Sequence, residues 1–130
     1  MSLQKSVLML SNTTGKYTVV GDKIRADGYW GYTDGIHTVQ VNYTNFKGSF
    51  GIEGTLSVNP TENDWFQVTL ADGVHPGPYA IFNYETGTRA YTFMGNFVYL
   101  RAILVRDDPE ITDQYVISTL GTIDKVLLAM

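Results

Sequence analysis

The sequence predicts an all-β fold, an antiparallel β-sandwich or barrel with about eight to ten strands, and three observations predict it. Short segments alternate apolar and polar residues with a period of two, the signature of strands with one buried and one wetted face. Thirteen glycines are spread almost evenly between those segments as punctuation, the spacing of a many-stranded sandwich or barrel. No stretch carries the apolar period of a convincing helix. At 130 residues, with no linker, low-complexity tract or charge block, residues 1–130 form one domain. A chain of that size hides roughly two thirds of its unfolded surface, enough for a single core.

Strands are expected over residues 6–10, 17–20, 24–27, 36–43, 48–56, 65–70, 79–82, 89–94, 97–105 and 123–129. In IHTVQVNY, the residues His37, Val39, Val41 and Tyr43 share one face and Ile36, Thr38, Gln40 and Asn42 the other. Phe50, Ile52, Gly54 and Leu56 repeat the period, and Phe66, Val68 and Leu70 repeat it again. FVYLRAILV, residues 97–105, is apolar on both faces, as expected of a central strand or of one whose outer face meets another subunit. Gly95-Asn96 before it reads as a two-residue hairpin turn. DDPEITDQY, residues 107–115, combines a proline with four acidic residues and reads as a surface loop.

Nine Lys plus Arg against thirteen Asp plus Glu give a net charge of −4, which argues against nucleic acid and anionic membranes as partners. The absence of cysteine excludes a disulfide framework, a thiolate metal site and a thiol nucleophile. MSLQKSVLML has one Lys and a four-residue apolar run, too short for a signal h-region or a membrane span.

The chemistry-bearing residues point away from catalysis. His37 and His75 stand in unrelated contexts, and His37 on an apolar-alternating face reads as a partly buried, hydrogen-bonded side chain. No G-x-S-x-G elbow is present. Glu53, Glu62, Asp64 and Glu85 are the carboxylates from which a glycoside-cleaving pair could be drawn, yet Glu53 sits mid-strand, where a cross-strand partner is the ordinary expectation. Acidic residues near Asp64 and Asp107 lack the EF-hand pattern. No metal, cofactor or catalytic residue is expected. Arg101, inside the apolar strand, needs a carboxylate such as Asp124 or Glu53.

The cluster Tyr29-Trp30-Gly31-Tyr32 within DGYWGYTDG has two readings. Planar rings freed by glycines and flanked by acids are what sugar-stacking surfaces are built from, with Tyr29, Trp30 and Tyr32 stacking and Asp27 or Asp34 taking sugar hydroxyls. The same rings could instead plug the sandwich or lie at a subunit interface.

HTVQVNYTNFKGSFGIEGTLSVNPTENDWFQV resembles an arrangement recurrent in small β-sandwich proteins of tailed bacteriophages, in which x-G-x-F-x-I-E-G-S/T-L is followed by a short loop and a Trp. TRAYTFMGNFVYLRAILV and GTIDKVLLAM are similar to the closing half of the same proteins. The resemblance covers about half the chain; residues 1–35 have no counterpart in it. It implies a jelly-roll-like sandwich, similar in outline to galactose-binding or discoidin-type domains, carried by a virion or encoded next to virion genes.

The expected function is therefore that of a non-enzymatic structural or decoration subunit of a phage head, neck or tail, located in the virion. It would act by homo-oligomerisation and by docking onto other virion proteins. Phe97, Tyr99, Arg101, Ile103, Leu127 and Leu128 are its candidate interface. The alternative is a carbohydrate-binding module for host-surface adhesion, using the aromatic cluster.

Overall fold

A computed structural model describes residues 7–11, 18–31, 35–70, 80–106 and 120–129. Its strands are β1 (Val7–Ser11), β2 (Thr18–Val20), β3 (Ile24–Arg25), β4 (Ile36–Thr55), β5 (Phe66–Val68), β6 (Ala80–Met94), β7 (Tyr99–Arg106) and β8 (Thr122–Ala129). One helical turn, α1 (Asp27–Trp30), follows β3, and a 3-10 turn spans Glu62–Asp64. All eight strands join one antiparallel sheet in the order β1-β8-β4-β7-β2, with β3 also on β7 and β5 and β6 on the other edge of β4.

The organising element is β4, twenty residues long, which replaces the two separate strands expected over 36–43 and 48–56. Its N-terminal half lies between β6 and β8, with Thr38 opposite both Thr92 and Ala129. Its C-terminal half lies between β6 and β7, with Ser49 opposite both Ile81 and Val105. Midway, the inward residues change parity, from His37, Val39, Val41 and Tyr43 to Phe46, Phe50 and Ile52. Thr44 and Asn45 are both exposed, and the register shifts between Tyr43 and Phe46. Such an inserted residue is a β-bulge, which bends and twists the strand.

β6 makes the matching bend. Ala80 and Phe82 point inward before it, Tyr91 and Phe93 after it, and it merges the strands expected over 79–82 and 89–94. Because both long strands bend, the sheet curls, and its two halves contribute to one continuous core from Met9 and Leu10 through Val39, Phe50, Phe82 and Leu104 to Leu128. The curled sheet is compatible with the sandwich expectation.

Three local expectations are corrected. Gly95-Asn96 is not a hairpin turn, because β6 and β7 are not paired; the segment crosses from one edge of β4 to the other. The expected strand over 24–27 stops at Arg25, and α1 begins at Asp27. Leu56 and Phe66, expected inward, are exposed at 66% and 44%, because β4 ends at Thr55 and β5 begins only at Phe66. The loop expected over 107–115 lies outside the described residues.

Candidate functional site

A relay of hydrogen bonds fixes the corner where α1, the start of β4 and the β6–β7 crossover meet. The Gly35 amide donates to Asp27 Oδ2 at 3.2 Å. The Gly95 amide donates to the Gly35 carbonyl at 2.8 Å. His37 Nε2 donates to the Gly95 carbonyl, also at 2.8 Å, so the ring proton sits on Nε2. His37 is fully buried, stacked on Phe93 with ring centres 4.9 Å apart, and its Nδ1 has no partner among the described residues. Asp27 is buried as well, 4.0 Å from His37 Nε2. It holds backbone in place and is not available to the hydroxyls of a bound sugar, which corrects one role expected for it.

The carboxylates are engaged. Arg101 Nε donates to Glu53 Oε1 at 2.8 Å, and its two terminal nitrogens reach Glu62 at 3.3 Å each. Its guanidinium lies 4.2 Å from the centre of the Trp65 ring. Burial opposes the Arg101 charge, but the hydrogen bonds to Glu62 and Glu53 outweigh it and raise the pKa. Asp64 accepts from the Thr61 amide at 2.7 Å, and Glu85 pairs with Arg89. Asp124, the other partner considered for Arg101, instead accepts from Thr44 Oγ1 at 2.7 Å. His75 lies outside the described residues.

The expected interface residues divide between two sides of the sheet. Phe97 is 7% exposed, with its ring over Gly54 and Gly95, and Leu128 is fully buried. Both are core residues and cannot be contact surface, which corrects the candidate set. The chain bends at Val98, so Phe97 faces inward while Tyr99, Arg101 and Ile103 alternate outward on β7 and are half-buried. The inward face of β7 is Leu100, Ala102, Leu104 and the fully buried Arg106. Leu127 is half-buried on the outer face of β8.

That outer face has a composition the strand-by-strand reading missed. Leu8 pairs with Leu127, Leu127 with Gln40, and Gln40 with Ala90, forming one row across four strands. Ala129, Thr38 and Thr92 form the next row, and Ile36 with Met94 the last. None of these side chains is charged; the first charge is Lys125, opposite Asn42. Leu8, Ile36 and Met94 are 53%, 56% and 72% exposed.

Around the corner, Tyr29 and Trp30 are exposed together, with ring centres 4.9 Å apart and planes at 79°. Tyr99 extends the cluster, 5.7 Å from Tyr29. Two cations stand over these rings, Arg25 at 4.7 Å from Tyr29 and 5.7 Å from Trp30, and Lys23 at 4.8 Å from Tyr99. Tyr32 and Asp34 lie outside the described residues. The aromatic half of this cluster was legible in DGYWGY. The cationic half was signalled only by the alternation of Lys23 and Arg25, whose meaning depends on Arg25 pairing opposite Tyr99.

An apolar groove of about 520 Å³ opens between the β5 segment and the end of β6, lined by Phe66, Val68, Phe93, Met94 and Phe97 with Gln67 and threonines. Compared with protein-family models, curated proteins and solved structures, the chain matches none.

Proposed function

We propose that the chain is a non-enzymatic structural subunit that acts by self-association and by docking onto a larger assembly, the virion of a tailed phage being the setting that its sequence resemblance implies. The observation that carries this reading is the uncharged outer face formed by β1, β8, β4 and β6. The wetted face of an antiparallel sheet ordinarily carries charged side chains. Here three successive rows of aligned residues carry none, and Leu8, Ile36 and Met94 stand out from threonines, alanines and a glutamine. Depletion of charge with retained aliphatic surface is the composition of interface centres. Exposed aliphatic surface across several strands is costly for a chain that stays alone.

The test is solution mass by light scattering over a range of protein concentration, in low and high salt, for the native chain and for Met94→Lys and Leu127→Glu. The reading expects a defined oligomer that persists in high salt and that each substitution dissociates. A native chain that stays monomeric throughout, or an oligomer indifferent to both substitutions, overturns it.

A second reading, carbohydrate binding, is favoured by a separate observation: Tyr29 and Trp30 are exposed side by side at 39% and 52% and do not plug the core.

A further inference from the structure

We infer that the cluster of Lys23, Arg25, Tyr29, Trp30 and Tyr99 is a binding site for an acidic sugar, one bearing a carboxylate. The inference rests on the carbohydrate reading and sharpens it, because the side chains that flank the rings are cations. Asp27, the acid nearest in sequence to Arg25 and Tyr29, is buried and committed to the Gly35 amide, and Asp22, beside Lys23, is exposed. The groups that a ligand on the rings would meet are the Arg25 guanidinium and the Lys23 ammonium.

The state of Arg25 carries the argument furthest. Its planar guanidinium lies 4.7 Å from the centre of the Tyr29 ring and 5.7 Å from that of Trp30, a cation–π contact with both. Its hydrogen-bond donors lie around the edge of that plane, and among the described residues none of them is engaged in a hydrogen bond or ion pair. Every other arginine whose position is described has such a partner: Arg89 binds Glu85 and the Ile81 carbonyl, Arg101 binds Glu53 and Glu62, and Arg106 binds the Gly121 carbonyl. Arg25 is thus held beside the rings by cation–π contact while its donor fork stays open, able to accept a carboxylate through two parallel hydrogen bonds.

The position of the cluster supports the same ligand. Arg25 is paired opposite Tyr99 on β7, and α1 presents Tyr29 and Trp30 beside them, so rings and cation are set by strand register and a helical turn. The rings meet edge to face, and Trp30 is half-exposed. They stand nearly perpendicular, at 79°, so a pyranose can lie with its apolar face on one ring and the other ring beside it. A nucleic acid strand fits less well, since a chain of net charge −4 with two cations at the site cannot neutralise a run of phosphates.

The experiment is calorimetric titration of the full chain with trigalacturonate, with maltotriose as the neutral counterpart and oligo-dT as the polyphosphate counterpart. The variants are Arg25→Gln, Arg25→Lys and Trp30→Ala, each checked by thermal melting. Trigalacturonate binding is expected to exceed maltotriose binding by roughly tenfold, the scale of one charge-assisted bidentate contact. Arg25→Gln is expected to erase that preference, Arg25→Lys to restore only part of it, and Trp30→Ala to weaken both sugars. Equal binding of the two sugars, lost in Trp30→Ala but indifferent to Arg25→Gln, would overturn the acidic-sugar inference and leave carbohydrate binding standing. No binding of either sugar overturns both, and oligo-dT binding more tightly than trigalacturonate overturns the inference in favour of a nucleic acid site.

Discussion

Asn45 and Tyr84 are the two non-glycine residues with positive φ among the described residues, at 48° and 54°, and they flank from opposite sides the rung where Phe46 of β4 pairs with Glu85 of β6. The curl of the sheet is concentrated at this pair. The Asn45 amide donates to Thr86 Oγ1 at 2.8 Å, so the bulge in β4 is tied to the bend in β6. Asparagine tolerates the left-handed region; tyrosine does so at a cost of about 1 kcal/mol.

Substitutions at the pair should therefore diverge. Tyr84→Gly is expected to leave stability unchanged or raise it by up to about 1 kcal/mol, since glycine adopts the required φ without strain. Asn45→Val should lower it by about 2 kcal/mol or more, because a β-branched side chain is poorly accommodated there. Urea denaturation of the two variants checks both directions. Equal losses would mean that the backbone angles are not what these positions select for.

The bends also explain what the sequence could and could not disclose. The period-two faces of His37–Tyr43 and of Phe50–Gly54 were legible, and so was the mismatch in parity between them. A turn between two strands and a bulge within one strand satisfy that mismatch equally well. Only the pairing of β6 along the whole of β4 decides between them. Phe97 was misplaced for a related reason, because the bend at Val98 breaks the alternation that would put it beside Tyr99 and Arg101. Tyr29 and Trp30 were legible as candidate site residues from their glycine-flanked context. Arg25 was not, because its place in the cluster comes from strand register, a long-range property.

Phe97 lies so close over Gly54 that a β-carbon there would sit 2.7 Å from its ring. Gly54→Ala is expected to cost about 1–3 kcal/mol by forcing the ring from its site. Phe97→Ala should cost about 3–5 kcal/mol through the cavity it leaves. The solution mass should be the same for both variants as for the native chain wherever they remain folded, since neither residue is contact surface. Dissociation of an oligomer by Phe97→Ala at a protein concentration where the fold persists would return Phe97 to the interface.

Arg106 is the largest fully buried side chain among the described residues, and its Nε and Nη2 both donate to the Gly121 carbonyl, at 3.0 and 2.9 Å. Burial lowers its pKa. Gly121, at φ 71°, has no room for a β-carbon, which would run into the Asn45 carbonyl at the bulge. Arg106→Ala and Gly121→Ala should each destabilise by about 3 kcal/mol or more, the first through cavity and lost hydrogen bonds, the second through strain and overlap. Thermal melts of both variants test this, and a loss below about 1 kcal/mol for either would show that the region relaxes around the change.

Arg101 draws Glu53 and Glu62 together over Trp65, with side-chain exposures of 12% for Arg101, 14% for Glu53 and 84% for Glu62. Loss of the arginine should matter mainly through Glu53, which would stay half-buried without its cation, whereas Glu62 would return to water. Arg101→Met is expected to cost about 1–2 kcal/mol, Glu62→Gln less than about 0.5 kcal/mol. Comparable losses for the two variants would place the weight of the interaction on the exposed pair.

The relay from Asp27 through Gly35 and Gly95 to His37 makes a prediction about coupling. Asp27→Ala leaves the buried Gly35 amide without its acceptor, and His37→Phe keeps a ring beside Phe93 while leaving the Gly95 carbonyl without its donor. Each should cost about 1–3 kcal/mol. The two side chains are joined through the backbone bond from the Gly95 amide to the Gly35 carbonyl, so once either substitution has loosened the corner, the second has less ordered structure to disturb. A double-mutant cycle should return a combined loss smaller than the sum of the single losses by about 0.5–2 kcal/mol. Strict additivity would mean that Asp27 and His37 stabilise the corner independently, each through its own backbone partner.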